Sequence, residues 1–246
     1  MVDSYVQMFG GKPSQNVQAP LDKNDHPELD TSQLLDGEGI NKYQSLIGTL
    51  QWTITLGRFD IATAVMSMSG FRVAPRIGHL QRLQRICGYL AKFRDACIRV
   101  RTEQPDYSDI VAKKYDWART AYGDAKEVVP PGVPEPRGKT VTITTYKDAN
   151  LLHDVTSGKA VSGVLHFMNQ TPIDWYSKKQ ATCEVATYGA EFSAARTAIE
   201  QIAGHRHFLR YLGVPIEECS YLFGDNESVV TSSTCLLYTS PSPRDS

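Results

Sequence analysis

The order of hydrophobic patterns between residues 140 and 226 constrains the fold of this 246-residue sequence more than any other feature. Three β-branched or apolar runs, 140–147, 161–168 and 173–177, precede a long amphipathic run, and a fourth strand pattern follows at 219–226. The long run stops near Gly213 and Pro215, and its stripe consists of Tyr188, Phe192, Ala195, Ile199, Ile202 and Leu209. Three strands, a helix and a strand predict an α/β fold with a mixed sheet, over which the helix crosses back.

Three helical patterns precede this region, whereas the first forty residues are broken by Gly and Pro and are predicted to be irregular. In the first pattern the apolar stripe consists of Tyr43, Leu46, Ile47, Leu50 and Ile54. The second offers Asp60 as an N-cap ahead of Ile61, Ala64, Val65 and Met68. The third carries Leu80, Leu83, Ile86, Cys87, Leu90 and Phe93 on one side. These patterns predict a small helical unit.

A proline-rich stretch separates the helical patterns from the strands, and we place the domain boundary there. We predict an irregular acidic segment at 1–41, a helical unit at 42–122 and a linker at 123–139. The α/β domain follows at 140–234 and a tail at 235–246.

The formal net charge of -1 hides a strong asymmetry along the chain. Residues 1–41 contain seven acids against two lysines, or -5, whereas residues 72–101 contain eight bases against Asp95, or +7. Such a basic excess is typical of a surface that binds nucleic-acid phosphates, with Arg82, Arg85 and Lys92 as candidates. Lys178 and Lys179, after the third strand, are further candidates. A solvated helix face and an exposed turn are the alternatives.

Composition indicates a soluble globular protein, 41% hydrophobic and 22% charged. No apolar run approaches the roughly 18 residues of a membrane span, and the N-terminus has no secretory pattern, so we expect no membrane partner. The five cysteines include no Cys-x-x-Cys pair, which favours an intracellular protein. His205 and His207 lie two apart on the predicted helix and point to different faces, so we do not expect them to share a metal.

Three acids follow the strand and helix patterns in a suggestive order. Asp148 and Asp225 come at or just beyond the ends of the first and fourth strands, and Glu191 lies in the first turns of the long helix. If those strands are neighbours, the three carboxylates can converge. At about 4 Å each pair would repel by roughly 4 kcal/mol, so protons or cations must compensate. Mg²⁺ or Mn²⁺ suits such oxygen ligands. A lone Asp in this position is otherwise most often a turn or capping residue.

Several separated motifs resemble one known family. The stretches "YKDAN", "SGKAVSGVLHFMNQTPIDWYSKKQATCEVATYGAEF" and "FGDNESVV" resemble the ribonuclease H domain of copia-type retrotransposon polyproteins. The upstream stretches "YQSLIGTLQWTITLGRFDIATAVMSMSGF" and "HLQRLQRICGYLAKFRD" resemble the segment that joins the reverse transcriptase to that domain. The resemblance covers residues 43–230 and implies a ribonuclease H-like mixed sheet preceded by a helical connection unit.

The resemblance implies hydrolysis of the RNA strand of RNA–DNA hybrids. Asp148, Glu191 and Asp225 match the catalytic, metal-binding acids, which would hold two Mg²⁺ or Mn²⁺ ions about 4 Å apart. Partners would be the hybrid, recognised by its shape and 2′-hydroxyl groups, and the remainder of the Pol polyprotein. The implied location is the cytoplasm, in association with virus-like particles.

The sequence also departs from the family. The reverse-transcriptase signature Tyr-x-Asp-Asp is absent, so this chain cannot polymerise. Asn150 and Leu151 replace an acid and a tryptophan, a change that leaves Asp148 intact. "CLLYTSPSPRD", Cys235–Asp245, back-translates to a sequence like a transposase-library adapter, so we interpret 235–246 as a non-native tail. The family's last strand and helix, with a fourth metal-binding Asp and a His, would then be missing. We therefore expect hybrid cleavage to be impaired.

Two other interpretations stay open. The chain could be a non-catalytic nucleic-acid-binding or connection module of a decayed element, which keeps the fold and the basic helix but not the chemistry. It could also be an untranslated relic whose sequence reflects descent alone.

Overall fold

A computed structural model describes residues 2–109, 127–217 and 219–234. The tail 235–246 and parts of the predicted helical unit and linker, 110–126, lie outside the described residues. Contacts divide the chain into two units: residues 1–99, 150–163 and 175–184 form one, and residues 100–149, 164–174 and 185–246 the other. The domain boundary that we placed at 123–139 stays a prediction.

Four helices and two 3-10 turns make up the N-terminal part of the first unit. The helices are α1 (Val2–Phe9), α2 (Gly37–Thr55), α3 (Ala62–Ser69) and α4 (Ile77–Lys92), with 3-10 turns at Pro27–Leu29 and Phe59–Ile61. The three predicted helices are confirmed. The prediction of an irregular first segment is wrong for α1, where Tyr5 is buried against the other helices.

The predicted apolar stripes form the core of this unit. Asp36 begins α2 by accepting a hydrogen bond from the Gly39 N–H at 2.7 Å. The fully buried side chains include Tyr43, Leu46, Ile47, Leu50, Ile61, Met68, Leu83 and Ile86. Asp60, our predicted N-cap of α3, instead lies in a 3-10 turn and binds Arg58 at 2.8 Å. The nearby guanidinium competes with the helix N-terminus for that carboxylate.

The acidic N-terminal segment runs closely over α4. A Cβ atom added at Gly88 would lie 2.0 Å from the Ser14 carbonyl oxygen, so only glycine allows the backbone of the segment to come this near. Val17 is buried, and its carbonyl accepts a hydrogen bond from Lys92 at 2.9 Å. The segment is therefore packed against the helix and is not a free tail.

The sheet has four strands in the order β3-β2-β1-β4. They are β1 (Ile143–Asp154), β2 (Lys159–Met168), β3 (Thr171–Lys179) and β4 (Tyr221–Phe223). The short connections after β1 and β2 form hairpins, whereas β1 and β4 pair in parallel after the crossover through α5 (Thr187–Tyr211). The predicted α/β class with a mixed sheet is confirmed.

Strand β1 is longer than we predicted. The sequence pattern ended at Lys147, but the strand continues to Asp154 because β2 pairs with it along a long hairpin. Pairing with a neighbouring strand outweighs the low strand propensity of Asp and Asn. Asp148 therefore lies within β1, and the expectation that it follows the strand's end is wrong. It does follow the end of the pairing with β4, whose last matched residues are Tyr146 and Phe223.

The buried face of helix α5 matches the predicted stripe only in part, since Ala195, Ile202 and Leu209 are buried as expected. Tyr188, Phe192 and Ile199 are 42%, 46% and 53% exposed. The buried face consists of Ala190, Glu191, Ala194, Ala195, Ala198, Ile202, Arg206 and Leu209. Small alanine side chains allow the helix axis to approach its neighbours closely, so the bulkiest apolar residues do not mark the buried side.

A last helix, α6 (Glu227–Thr234), was not predicted. Val229 is its buried anchor, and α6 packs against α5. None of the helices in the described ranges combines the length and apolar character needed to cross a bilayer.

Candidate functional site

The parallel pairing of β1 with β4 brings two of the predicted acids together. Thr144 lies opposite Tyr221, and Tyr146 lies opposite Phe223. Continued by two residues, this register sets Asp148 opposite Asp225. Carboxylate oxygens of Asp148, Glu191 and Asp225 lie within 4.8 Å of one another. We call these three residues the acidic cluster.

Glu191 is the buried member of the acidic cluster, with 3% of its surface exposed, whereas Asp148 and Asp225 are exposed. Its Oε1 accepts a hydrogen bond from the Ala149 N–H at 3.2 Å. The contact ties the second turn of α5 to β1 directly beside Asp148. The position of the Glu191 carboxylate is thus fixed by backbone as well as by burial.

A lysine that sequence reasoning missed lies against the acidic cluster. Lys147 is buried, and its Nζ lies 2.5 Å from Glu191 Oε2. Its stem passes over Gly224, where an added Cβ would lie 2.2 Å from Lys147 Cε. No local signal in the sequence indicates this contact, because Gly224 follows β4 and meets Lys147 only through the β1–β4 register.

Asp225 is held at the start of α6 by its neighbour. The Asn226 side-chain oxygen accepts a hydrogen bond from the Val229 N–H at 3.0 Å, which caps the helix. The two neighbours therefore have different roles: Asn226 caps the helix, and Asp225 contributes its carboxylate to the acidic cluster. The distance between β4 and α6 is only three residues, so the cap restricts where Asp225 can point.

The donor set fits a hard divalent cation. Three carboxylates supply only oxygen ligands, and two of them face solvent through which an ion could enter. With Lys147 counted, the group carries a formal charge of -2, which matches the charge of one Mg²⁺ or Mn²⁺ ion. Imidazole and thiolate, which softer metals prefer, contribute nothing to this cluster.

The basic residues predicted to bind phosphate have acceptors within the chain. Arg82 binds Asp25 through two nitrogens at 2.8 Å and Asp30 at 2.6 Å, and Arg85 binds Asp22 at 2.7 Å. Lys92 binds a carbonyl of the same acidic segment. Ion pairs of Arg82 and Arg85 thus join the acidic and basic stretches and account for part of the charge asymmetry. A role of Arg82, Arg85 and Lys92 in nucleic-acid binding stays a prediction.

The two lysines at the end of β3 differ in their surroundings. Lys179 forms an ion pair with Asp154, whereas Lys178 is exposed. Lys178 is therefore the more accessible of the two for a phosphate group.

A second group of potential ligands consists of His166, Asp174 and His205, whose donor atoms also lie within 4.8 Å of one another. His205 Nε2 lies 3.1 Å from Asp174 Oδ2. Both ring nitrogens of the buried His166 are engaged, with Thr145 at 2.8 Å and Gln201 at 3.0 Å, and burial lowers its pKa. These hydrogen bonds link β1, β2 and α5 through His166. Sequence reasoning considered His205 only with His207 and missed these partners.

Comparisons with known proteins relate most of the chain to retrotransposon polyproteins. It is 24% identical over 185 residues to the Retrovirus-related Pol polyprotein from transposon RE1 of Arabidopsis thaliana, a match that covers 75% of this chain and 10% of that polyprotein. It is 25% identical over 166 residues to a putative transposon Ty5-1 protein of Saccharomyces cerevisiae, 66% of this chain and 42% of that protein. It is also 26% identical over 159 residues to Secreted RxLR effector protein 161 of Plasmopara viticola, 65% of this chain and 87% of that protein.

These similarities support the prediction of a retrotransposon polyprotein fragment. The chain spans about a tenth of the length of the two Arabidopsis polyproteins that it matches. No protein-family model matches the chain, and no solved structure matches it. The names of the relatives specify neither a copia-type element nor a ribonuclease H region.

Proposed function

We propose that the chain is the connection and ribonuclease H portion of a copia-type retrotransposon Pol polyprotein, and that its acidic cluster serves hydrolysis of RNA in RNA–DNA hybrids. The observation that carries the proposal is the convergence of Asp148, Glu191 and Asp225 from a strand, a helix and a parallel strand. The polyprotein relatives support its coarser part, a fragment of a Pol polyprotein, through matches that cover 75% and 80% of this chain.

In this function the three acids would hold a divalent cation, which would supply Lewis-acid activation of water and charge stabilisation on the phosphodiester. Glu191 would act as the fixed ligand because Ala149 and Lys147 orient its carboxylate. Asp148 and Asp225, both exposed, would face the substrate backbone. Partners would be the hybrid and the rest of the Pol polyprotein.

One observation favours a second function, a non-catalytic nucleic-acid-binding or connection module. Lys147 already balances the charge of Glu191, so the acidic cluster attracts cations less strongly than three carboxylates without a lysine would. We therefore expect cleavage to be slow, as we expected from the sequence on other grounds.

A cleavage assay under single-turnover conditions separates the two functions. The full 246-residue chain, in excess over a labelled RNA–DNA hybrid, should cut the RNA strand slowly with Mn²⁺ and lose this activity in Asp148→Asn. The matched control is Asp106→Asn, because Asp106 is an exposed acid whose carboxylate accepts a hydrogen bond from the nearby Ser108 N–H. Double-stranded DNA should remain intact.

The outcomes assign the function. Hybrid binding that is equal in wild type and Asp148→Asn, without cleavage in either, would favour the non-catalytic module. Rapid Mg²⁺-dependent cleavage that Asp148→Asn abolishes would support the hydrolase and refute the expectation that it is impaired.

A further inference from the structure

We infer that Lys147 is a built-in counter-cation of the acidic cluster, which competes with divalent metal for Glu191 and limits the cluster to one ion. The inference rests on the proposed metal site and names a residue that governs its affinity and stoichiometry. It does not depend on whether a bound ion leads to hydrolysis.

Lys147 and Glu191 form a buried ion pair. Lys147 Nζ lies 2.5 Å from Glu191 Oε2, and the two side chains are 2% and 4% exposed. An ammonium group at hydrogen-bonding distance in a dry environment interacts strongly with a carboxylate, whereas an exposed pair would not. A cation that binds Glu191 would share the carboxylate with this ammonium group, which repels it.

Gly224 leaves space for the side chain of Lys147. A Cβ at position 224 would lie 2.2 Å from Lys147 Cε and 2.7 Å from its Nζ. The backbone does not require glycine at this position, because the φ angle of Gly224 is not in the left-handed region. Gly224 therefore serves to admit the lysine stem, and an alanine would push the ammonium away from its present position.

The formal charge of the group sets how many divalent ions it can balance. Three carboxylates and one ammonium sum to -2, so a single divalent ion neutralises the group, whereas a second ion would leave it positive. Like charges at a few ångströms repel by several kcal/mol even at an effective dielectric near 20. Lys147 consequently takes the electrostatic place of a second metal ion.

The test measures Mn²⁺ binding to the full chain by calorimetry and by electron paramagnetic resonance of free Mn²⁺. Lys147→Met keeps the apolar stem and removes the charge, and it should bind Mn²⁺ at least about tenfold more tightly than wild type or take up a second ion. Without metal, the same variant should unfold at a lower temperature because Glu191 is left buried and unpaired, and Mn²⁺ should restore the loss. Lys139→Met, on the exposed segment before β1, is the matched control and should behave as wild type.

Gly224→Ala provides a second route should Lys147→Met fail to fold, because it displaces the ammonium without deleting it. It should also tighten Mn²⁺ binding. Equal affinity and stoichiometry in wild type, Lys147→Met and Gly224→Ala would overturn the role of Lys147 while leaving the metal site intact. Absence of Mn²⁺ binding in all of them would overturn the proposed metal site itself.

Discussion

Asn226 couples the acidic cluster to the start of helix α6. Its side chain caps the helix while the adjacent Asp225 carries a carboxylate of the cluster. Asn226→Ala should therefore lower the free energy of unfolding by about 1 kcal/mol, the usual cost of a lost N-cap. It should also weaken Mn²⁺ binding, because the lost cap no longer fixes the backbone that orients the Asp225 carboxylate.

Chemical denaturation and a Mn²⁺ titration measure the two effects. Asn226→Ser retains an oxygen that can cap the helix and should preserve both stability and Mn²⁺ affinity. Wild-type behaviour of Asn226→Ala in both measurements would show that the cap does not position Asp225.

At the residue scale, the three acids could be predicted because chemistry and order distinguish them. Asp148, Glu191 and Asp225 each occur beside a recognisable strand or helix pattern, and the structure brings all three together. Lys147 could not be predicted in its role, since its partner Glu191 is 44 residues away in the sequence and the contact depends on the β1–β4 register. His166 and His205 were missed for the same reason.

At the scale of elements, the acidic segment and α4 are held together by ion pairs that depend on pH. Burial alone would raise the pKa of Asp30, but hydrogen bonds from Ser32 and Arg82 outweigh it and lower that pKa to about 2. Its ordinary value is 3.8. The stabilisation by Asp30 is therefore complete above about pH 4. It is lost as the pH falls towards 2, because the carboxylate then becomes protonated in the folded state as well as in the unfolded state.

Asp30→Asn tests this pairing. Relative to wild type, the variant should be less stable at neutral pH, and the difference should shrink as the pH falls from about 4 to about 2. Urea unfolding at several pH values gives the comparison. Asp95→Asn is the control, because Asp95 is 96% exposed and lies 3.7 Å from Arg94. A difference for Asp30→Asn that stays constant across this pH range would contradict the proposed contribution.

Predictions of elements succeeded where local pattern and burial agree. In α2 the stripe residues Tyr43, Leu46, Ile47 and Leu50 are buried as expected, because their helical spacing sets them on one face. The stripe of α5 was wrong at Tyr188, Phe192 and Ile199 because close packing there selects alanines over bulky side chains. The length of β1 was underestimated because pairing with β2 is set by a distant strand and not by the propensities of Asp148 and Asn150.

At the scale of the whole molecule, the sequence already contained the order of strands and helices from which the mixed sheet follows. It also contained the charge asymmetry, but not the fact that acidic and basic stretches bind each other through Arg82 and Arg85. A long-range charge pattern is equally consistent with an external phosphate partner and with internal ion pairs, and only the fold distinguishes them.

The central claim is that Asp148, Glu191 and Asp225 form one divalent-cation site, and a Mn²⁺ titration of the full chain tests it most directly. We expect one ion per chain in wild type, with affinity reduced at least about tenfold in both Asp148→Asn and Asp225→Asn. Asp154→Asn, on the same strand but paired with Lys179, should leave binding unchanged. Mn²⁺ affinity in Asp148→Asn and Asp225→Asn equal to that of wild type would contradict the claim.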